Sequence, residues 1–276
     1  MDHTVASLNE SVTADQPSTQ STQSRGDAMI RLEDLYKRLG GKQILNGANL
    51  AIEEGETRVI IGRSGEGKSV LIKHICRLFQ PDRGRVYIEG EEISQLSETE
   101  LDSTRKKIGY LFQNAALFDS LNVLKNVGFA LFEEKQFSED EIREQVLDVL
   151  RLVRLGDILE KMPSELSGGM RKRVGLARAI IQKPKIILYD EPTTGLDPIT
   201  SDAINDLIIS LSQQLNVTSV VITHDMVSAF KIASKFSMLL EGRIIYTGSP
   251  DEVRTTDNEI IQQFIQGKST GPLSNL

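Results

Sequence analysis

The chain has no tryptophan and one cysteine, Cys76, in 276 residues. A single thiol excludes a disulfide framework or a cysteine-rich zinc site within one chain, and a reducing cytoplasm is its simplest setting. No stretch approaches the about 20 consecutive apolar residues that a bilayer-spanning helix needs. The N-terminus lacks the basic start and apolar core of a signal peptide, so any membrane role is expected to run through a partner. An excess of basic charge is also missing: 32 Lys and Arg stand against 39 Asp and Glu, a formal net charge of −7. The run Arg171-Lys172-Arg173 is too short to follow a phosphate backbone and reads better as part of a helix, so nucleic acid is not expected as a partner.

Phosphate-binding chemistry is plainly present. Gly62-Arg63-Ser64-Gly65-Glu66-Gly67-Lys68-Ser69 matches G-x-x-x-x-G-K-[ST] at every fixed position. The preceding Glu56–Ile61 ends in an apolar run that reads as a buried strand, and the following Val70–Leu78 has helical apolar spacing. Glycines let the backbone wrap a polyphosphate with several N–H groups inward, and the helix start adds positive potential. Lys68 then supplies a point charge to the β and γ oxygens, and Ser69 a hydroxyl for Mg²⁺. Further along, the apolar run Ile186–Tyr189 ends in Asp190-Glu191. Beside such a loop these carboxylates suit a nucleotide hydrolase: Asp190 to hold Mg²⁺, directly or through water, and Glu191 to polarise the attacking water. Ser167-Gly168-Gly169 opens another helix and makes a second anion-binding terminus. One triphosphate does not need both. The economical arrangement is two copies placed head to tail, each nucleotide held between the phosphate loop of one and the Ser-Gly-Gly helix of the other.

Around these motifs the chain divides as follows. Residues 1–27, rich in Ser, Thr, Gln and Asp, are expected to form a flexible tail. Ile30–Tyr36 and Asn49–Ile52 alternate as half-exposed strands around a turn at Gly40-Gly41, which suggests an antiparallel edge sheet. A helical arm is expected over about 91–165, with a capping box at Ser138–Glu141. Strands at Ile186–Tyr189, Ser219–Thr223, Phe236–Leu240 and Ile244–Thr247 follow, with a helix starting at Asp197-Pro198 and a hairpin at Glu241-Gly242. His74 is expected to pack or cap on its helix, and Cys76 to be a small core residue.

The phosphate loop, Ser167-Gly168-Gly169, Asp190-Glu191, Gly195-Leu196-Asp197 and His224 stand in the order found in ATP-binding cassette (ABC) ATPases, and the chain resembles that family over about 28–250. The resemblance implies an α/β fold of the ABC-type P-loop NTPase class: a RecA-like parallel sheet core, an antiparallel β edge subdomain and an α-helical subdomain. It implies ATP and Mg²⁺ as cofactors and a homodimer. Gln113, after Ile108-Gly109-Tyr110-Leu111-Phe112, resembles the glutamine that touches Mg²⁺ and reports nucleotide state to the membrane partner. Asp197 resembles the interprotomer loop aspartate, His224 the γ-phosphate histidine, and Tyr36 the aromatic that stacks on adenine, with a core tyrosine of the edge sheet as its alternative. Leu117, Phe118, Leu121 and Val123 are candidates for a contact surface toward a permease, or else for packing within the helical arm.

Met170 departs from the family, where many members have glutamine. Met170, the stretch Leu111–Leu121 and the ending Gly271-Pro272-Leu273 resemble a narrower group, the ATPase subunits of the Mla phospholipid-transport systems of Gram-negative bacteria. That resemblance implies an integral inner-membrane permease, a small cytoplasmic accessory subunit and a periplasmic lipid-binding subunit as partners. It also implies a peripheral place on the cytoplasmic face of the inner membrane, and a C-terminal extension, 251–276, at the dimer contact. Neither the second cassette usual in ribosome-associated members nor the long coiled-coil insertion of DNA-repair members is present. An importer or exporter ATPase for another substrate would share every catalytic motif.

Overall fold

The computed structural model describes residues 28–275, so the N-terminal segment expected as a tail lies outside the described residues. The chain opens with a hairpin of β1 (Ala28–Leu39) and β2 (Lys42–Glu53), turned at Gly40-Gly41 as expected. The fully buried β3 (Thr57–Ile61) leads through the glycine-rich loop into α1 (Lys68–Ile75). With β4 (Arg83–Ile88) and β5 (Glu91–Glu92), the hairpin makes a four-stranded antiparallel sheet in the order β2-β1-β4-β5. Next come α2 (Glu98–Lys106), β6 (Ile108–Leu111), α3 (Val123–Val127), α4 (Phe129–Glu134) and α5 (Glu139–Leu152), then α6 (Gly168–Ile180). The remaining elements are β7 (Ile186–Asp190), α7 (Pro198–Leu215), β8 (Thr218–Ile222), α8 (Met226–Ile232), β9 (Lys235–Leu240), β10 (Arg243–Gly248), α9 (Pro250–Thr255) and α10 (Glu259–Ile265).

Six strands form the second sheet in the order β10-β9-β3-β8-β7-β6, parallel except for the hairpin partner β10. Side chains alternate across a strand, so a sheet covered on both faces splits each run between two cores. Val59 and Ile61 of β3, with Ile187 and Tyr189 of β7, join the core built with α5, α6 and α7. Ile60, Ile186 and Leu188 join the core that holds α1 and the antiparallel sheet. All parallel strands point the same way. The loops after β3, β6, β7 and β8 therefore open along one carboxyl edge, where open α/β sheets place ligands.

Local signals set several helix starts. Ser138 caps α5 in a capping box with Glu141, and Asp197 caps α7 with Pro198 at the first helical position. The segment expected as a helical arm over 91–165 is less uniform than that. It contains β5, which closes the antiparallel sheet, and β6, the outer strand of the parallel sheet, before α3 to α5 begin. Gly109 allows this, because a Cβ there would stand 2.4 Å from the Ala179 carbonyl oxygen of α6.

The C-terminal segment lies against its own chain. Gln263 is buried, and its Oε1 accepts from Leu273 N at 2.7 Å while its Nε2 donates to Lys268 O and Ser274 Oγ at 3.1 and 3.2 Å. Leu273 is buried in the larger core, and its carbonyl accepts from Arg63 Nη1 at 3.1 Å. Gln263→Ala removes three hydrogen bonds at once and is expected to cost about 1–3 kcal/mol. A lower denaturant midpoint, with faster proteolysis beyond residue 266, checks this.

Candidate functional site

Residues 62–69 connect the buried β3 to α1 through a loop that only glycine can build at two points. Gly62 has φ 151°, and a Cβ there would stand 2.3 Å from the Leu239 carbonyl oxygen; Gly67 has φ 96°, and a Cβ there would stand 2.6 Å from Ile44 Cγ2. Gly67 starts α1 without a side-chain cap, which leaves the first amide N–H groups without side-chain acceptors, the condition for anion binding at a helix start. Arg63, Ser64 and Gly65 are exposed at the tip of the loop. Glu66 is held by its Oε2, which accepts from Glu241 N at 2.6 Å. Lys68 turns back over the loop and donates to the carbonyls of Gly62 and Arg63 at 2.7 and 2.8 Å. Burial lowers its pKa, against the opposing pull of Glu191, Glu66 and Asp190. The ammonium is thus a desolvated cation facing three carboxylates, with backbone carbonyls as its acceptors.

Beside it, Ser69 Oγ donates to Asp190 Oδ1 at 2.8 Å. The other carboxylate oxygen, Oδ2, accepts from Tyr110 OH at 3.2 Å. Among the described residues no group of three or more His, Cys, Asp and Glu could hold a metal by itself. A hydroxyl and a carboxylate oxygen side by side suit a cation that takes few protein ligands and completes its shell with substrate phosphates and water, which is the habit of Mg²⁺.

Glu191 follows directly, at φ 50°, a left-handed conformation uncommon for a residue with a side chain. Its N–H donates to Ile222 O at 3.0 Å, and its carbonyl accepts from Lys172 Nζ at 3.0 Å. Its Oε2 accepts from Thr194 Oγ1 at 2.9 Å and lies 2.8 Å from His224 Nδ1. The two residues expected to be catalytic, from the ends of β7 and β8, are therefore in contact.

The other expected positions are more dispersed. The Gln113 carbonyl accepts from the same Lys172 Nζ that reaches Glu191, so the backbone of the Gln113 loop is tied to that of Glu191. Ser167 caps α6, its Oγ accepting from Met170 N at 3.3 Å, and a Cβ on Gly169 would stand 2.6 Å from Thr200 Cγ2. No hydrogen bond among the described residues joins 167–169 to 62–69. Gln113, Gly168, Arg171, Lys172 and Gly195 instead line a cleft of about 280 Å³. The Asp197 carboxylate caps α7, accepting from Ile199 N and Thr200 N at 3.0 Å and from Thr200 Oγ1 at 2.6 Å. The Thr200 hydroxyl and N–H hold its pKa below the usual range. Tyr36 pairs with Asn46 of β2, two residues from the Ile44 that packs on Gly67, and the Arg83 guanidinium lies 5.2 Å from its ring centroid.

Of the four candidates for a contact surface, Val123 is fully buried in the core with α6 and drops out. Phe118 is exposed and pairs with an exposed Phe129 at a ring distance of 5.0 Å, and Leu117 and Leu121 are half-buried. The Cys76 thiol is buried, its pKa pushed up to about 11, so it is inert at neutral pH. His74 is buried with Nδ1 2.7 Å from Val70 O, as its packing role required. Three contributors at the site escape the motifs: Lys172, Thr194 and Tyr110. The signal for Lys172 was its place one turn into the helix after Gly168-Gly169, on the same face as Gly168.

A family model described as ABC transporter matches residues 45–194. The chain is 41% identical to protein TRIGALACTOSYLDIACYLGLYCEROL 3, chloroplastic, of Arabidopsis thaliana, over 90% of this chain and 76% of that one. It is 39% identical to the probable ribonucleotide transport ATP-binding protein mkl of Mycobacterium tuberculosis, over 88% and 68%. It is 37% identical to the intermembrane phospholipid transport system ATP-binding protein MlaF of Haemophilus influenzae, over 89% and 93%. Among solved structures, the ATP-binding cassette MJ0796, in a dimeric post-hydrolysis state bound to ADP and Pi, superposes with a TM-score of 0.74 at 34% identity, covering 80% of this chain and 99% of that one. The glycine-rich loop beneath Lys68, the adjoining carboxylates and these relatives converge on one assignment: the chain belongs to the ABC transporter family, as an ATP-hydrolysing cassette.

Proposed function

We propose that this cassette energises phospholipid transport between the membranes of a Gram-negative bacterium, working as a homodimer on the cytoplasmic face of the inner membrane through a separate permease. The observation that carries the catalytic part is the contact of Ser69 with Asp190, which sets a metal-binding hydroxyl and carboxylate beside Lys68 and Glu191. The likeness to MlaF, which spans 93% of that protein, supports the choice of cargo. An accessory cytoplasmic subunit and a periplasmic lipid-binding subunit complete the proposed assembly.

In this reading residues 62–67 wrap the phosphates with backbone N–H groups and Lys68 neutralises the β and γ oxygens. Ser69, Asp190 and Gln113 would hold Mg²⁺; the ion would supply charge neutralisation for the developing phosphoryl oxygens. Glu191 polarises the attacking water, and His224, now against Glu191, turns to the γ-phosphate. Tyr36 would stack on adenine. Ser167, Gly168 and Gly169 of a second copy cover the nucleotide, and Asp197 meets that copy at the loop between the sites. Closure of the pair is passed to the permease through the Gln113–Phe129 segment, with the exposed Phe118 and Phe129 as the contact. Of the C-terminal extension, 251–276, the helix α10 and the turn that follows would lie near this seam.

A transporter of the same design for other cargo is the second reading, favoured by the likeness to mkl. The complex isolated from membranes with its permease is expected to carry co-purifying phospholipid, and a strain lacking this chain to lose detergent resistance. Resistance equal to the parent's, with non-lipid cargo in the complex, would overturn the phospholipid assignment in favour of the second reading.

A further inference from the structure

Asp190 carries the metal in the reading above, and its carboxylate is held by two donors from different elements. Ser69, from the start of α1, donates to Oδ1, and Tyr110, from β6, donates to Oδ2. The two donors are not equivalent. A hydroxyl that binds a cation through a lone pair still carries its O–H, so Ser69 would serve the metal site both as a ligand and as a donor to Asp190. Tyr110 has no such second duty. Its phenol is an O–H donor at neutral pH, and the structure directs it at the carboxylate.

The fold delivers this hydroxyl deliberately. β6 pairs in parallel with β7, with Tyr110 opposite Leu188 and Leu111 opposite Tyr189. Alternation along β6 sends Leu111 into the core with α6, whereas Tyr110 packs against the core on the α1 side. The phenol therefore runs along the same face as the phosphate-loop helix and reaches the carboxylate at the end of the neighbouring strand. Its ring is fixed by stacking on Phe112, with centroids 4.1 Å apart and planes at 26°.

We propose that Tyr110 is a positioning residue for the metal site: its hydroxyl fixes the orientation of the Asp190 carboxylate by a hydrogen bond to Oδ2, leaving Oδ1 turned toward Ser69 and the cation. The inference rests on the assignment of Asp190 as a metal ligand. Outer-shell hydrogen bonds to metal ligands are commonly worth about 10-fold or more in metal affinity. Tyr110→Phe keeps the ring and its stack and removes only the donor.

The test is Mn²⁺ binding by electron paramagnetic resonance to the full chain with a non-hydrolysable ATP analogue, alongside analogue affinity without metal and thermal unfolding. Tyr110→Phe is expected to weaken Mn²⁺ by about 10-fold while metal-free nucleotide affinity and the unfolding midpoint stay at wild-type values. Mn²⁺ affinity within about twofold of wild type in Tyr110→Phe, together with a large loss in Asp190→Asn, overturns the role of Tyr110 and leaves Asp190 in place. Unchanged Mn²⁺ affinity in Asp190→Asn overturns the assignment of Asp190 and the inference with it. An equal loss of metal-free nucleotide binding in Tyr110→Phe makes the residue structural and also overturns it.

Discussion

Glu191→Gln is expected to lower ATP turnover by about 10²–10⁴-fold while ATP affinity stays near wild type. The expectation follows from where the side chain is and what holds it. Glu191 sits one residue beyond the proposed metal ligand, in a left-handed backbone conformation that costs on the order of 1 kcal/mol and persists only where surrounding contacts over-determine it. Those contacts are main-chain: its N–H to Ile222 and its carbonyl from the buried Lys172 ammonium. Neither depends on the side-chain charge, so glutamine inherits the same position. The amide can still accept from Thr194 with its remaining oxygen, and it has nearly the shape of the carboxylate. It lacks the negative charge that draws a proton from water as the oxygen attacks phosphorus. Phosphate release measured beside calorimetric ATP binding separates these. Turnover near wild type removes Glu191 as the polarising base, and a parallel loss of binding moves it into the phosphate cradle.

The parts of this site that sequence reasoning reached are those whose chemistry is local. The loop 62–69 requires glycines at fixed spacing because its own neighbours, the Leu239 carbonyl and Ile44, leave no room for a Cβ, so the requirement is written in consecutive residues. Asp190-Glu191 at the end of an apolar run, and Asp197-Pro198 at a helix start, are legible for the same reason. Residues whose role comes from tertiary placement are not. β6 has four residues and contains Gly109, too short and too irregular for a period to show, so its membership of the parallel sheet and the reach of Tyr110 stayed hidden. Lys172 sits in a run of three basic residues that reads as part of a helix and no more; the packing of α6 against the Gln113 loop is what buries it between two carbonyls. Val123 misleads in the opposite direction. An apolar side chain in a loop-rich stretch suits a docking surface or a core equally, and what decides is α6 lying over α3. Ser167 and Tyr36 belong to a third kind, since their expected partners are a second chain and a base.

Lys68→Ala carries the second large effect, on binding instead of turnover. It is expected to weaken ATP by on the order of 10²-fold, the loss of roughly 3 kcal/mol from charge-assisted contacts to phosphate. The electrostatics argue that the loss is at least this large. Asp190, Glu191 and Glu66 all act on the ammonium, so its removal takes away an attraction and also leaves a polyanion facing carboxylates with no cation between them. Folding should respond differently. The buried ammonium is disfavoured by desolvation, and its hydrogen bonds go to the Gly62 and Arg63 carbonyls, one of them at the exposed tip of the loop. Deleting a desolvated charge removes a cost that offsets most of what those two bonds contribute, so the unfolding midpoint of the nucleotide-free variant should move little. Lys68→Arg is not a rescue, because a planar guanidinium cannot fit a cradle sized for a compact ammonium. Calorimetric ATP affinity and thermal unfolding on the same preparation decide the matter. A large loss of affinity at unchanged midpoint places Lys68 in the phosphate cradle, whereas unchanged affinity, or a collapse of the fold with the binding, assigns the buried cation to holding the loop.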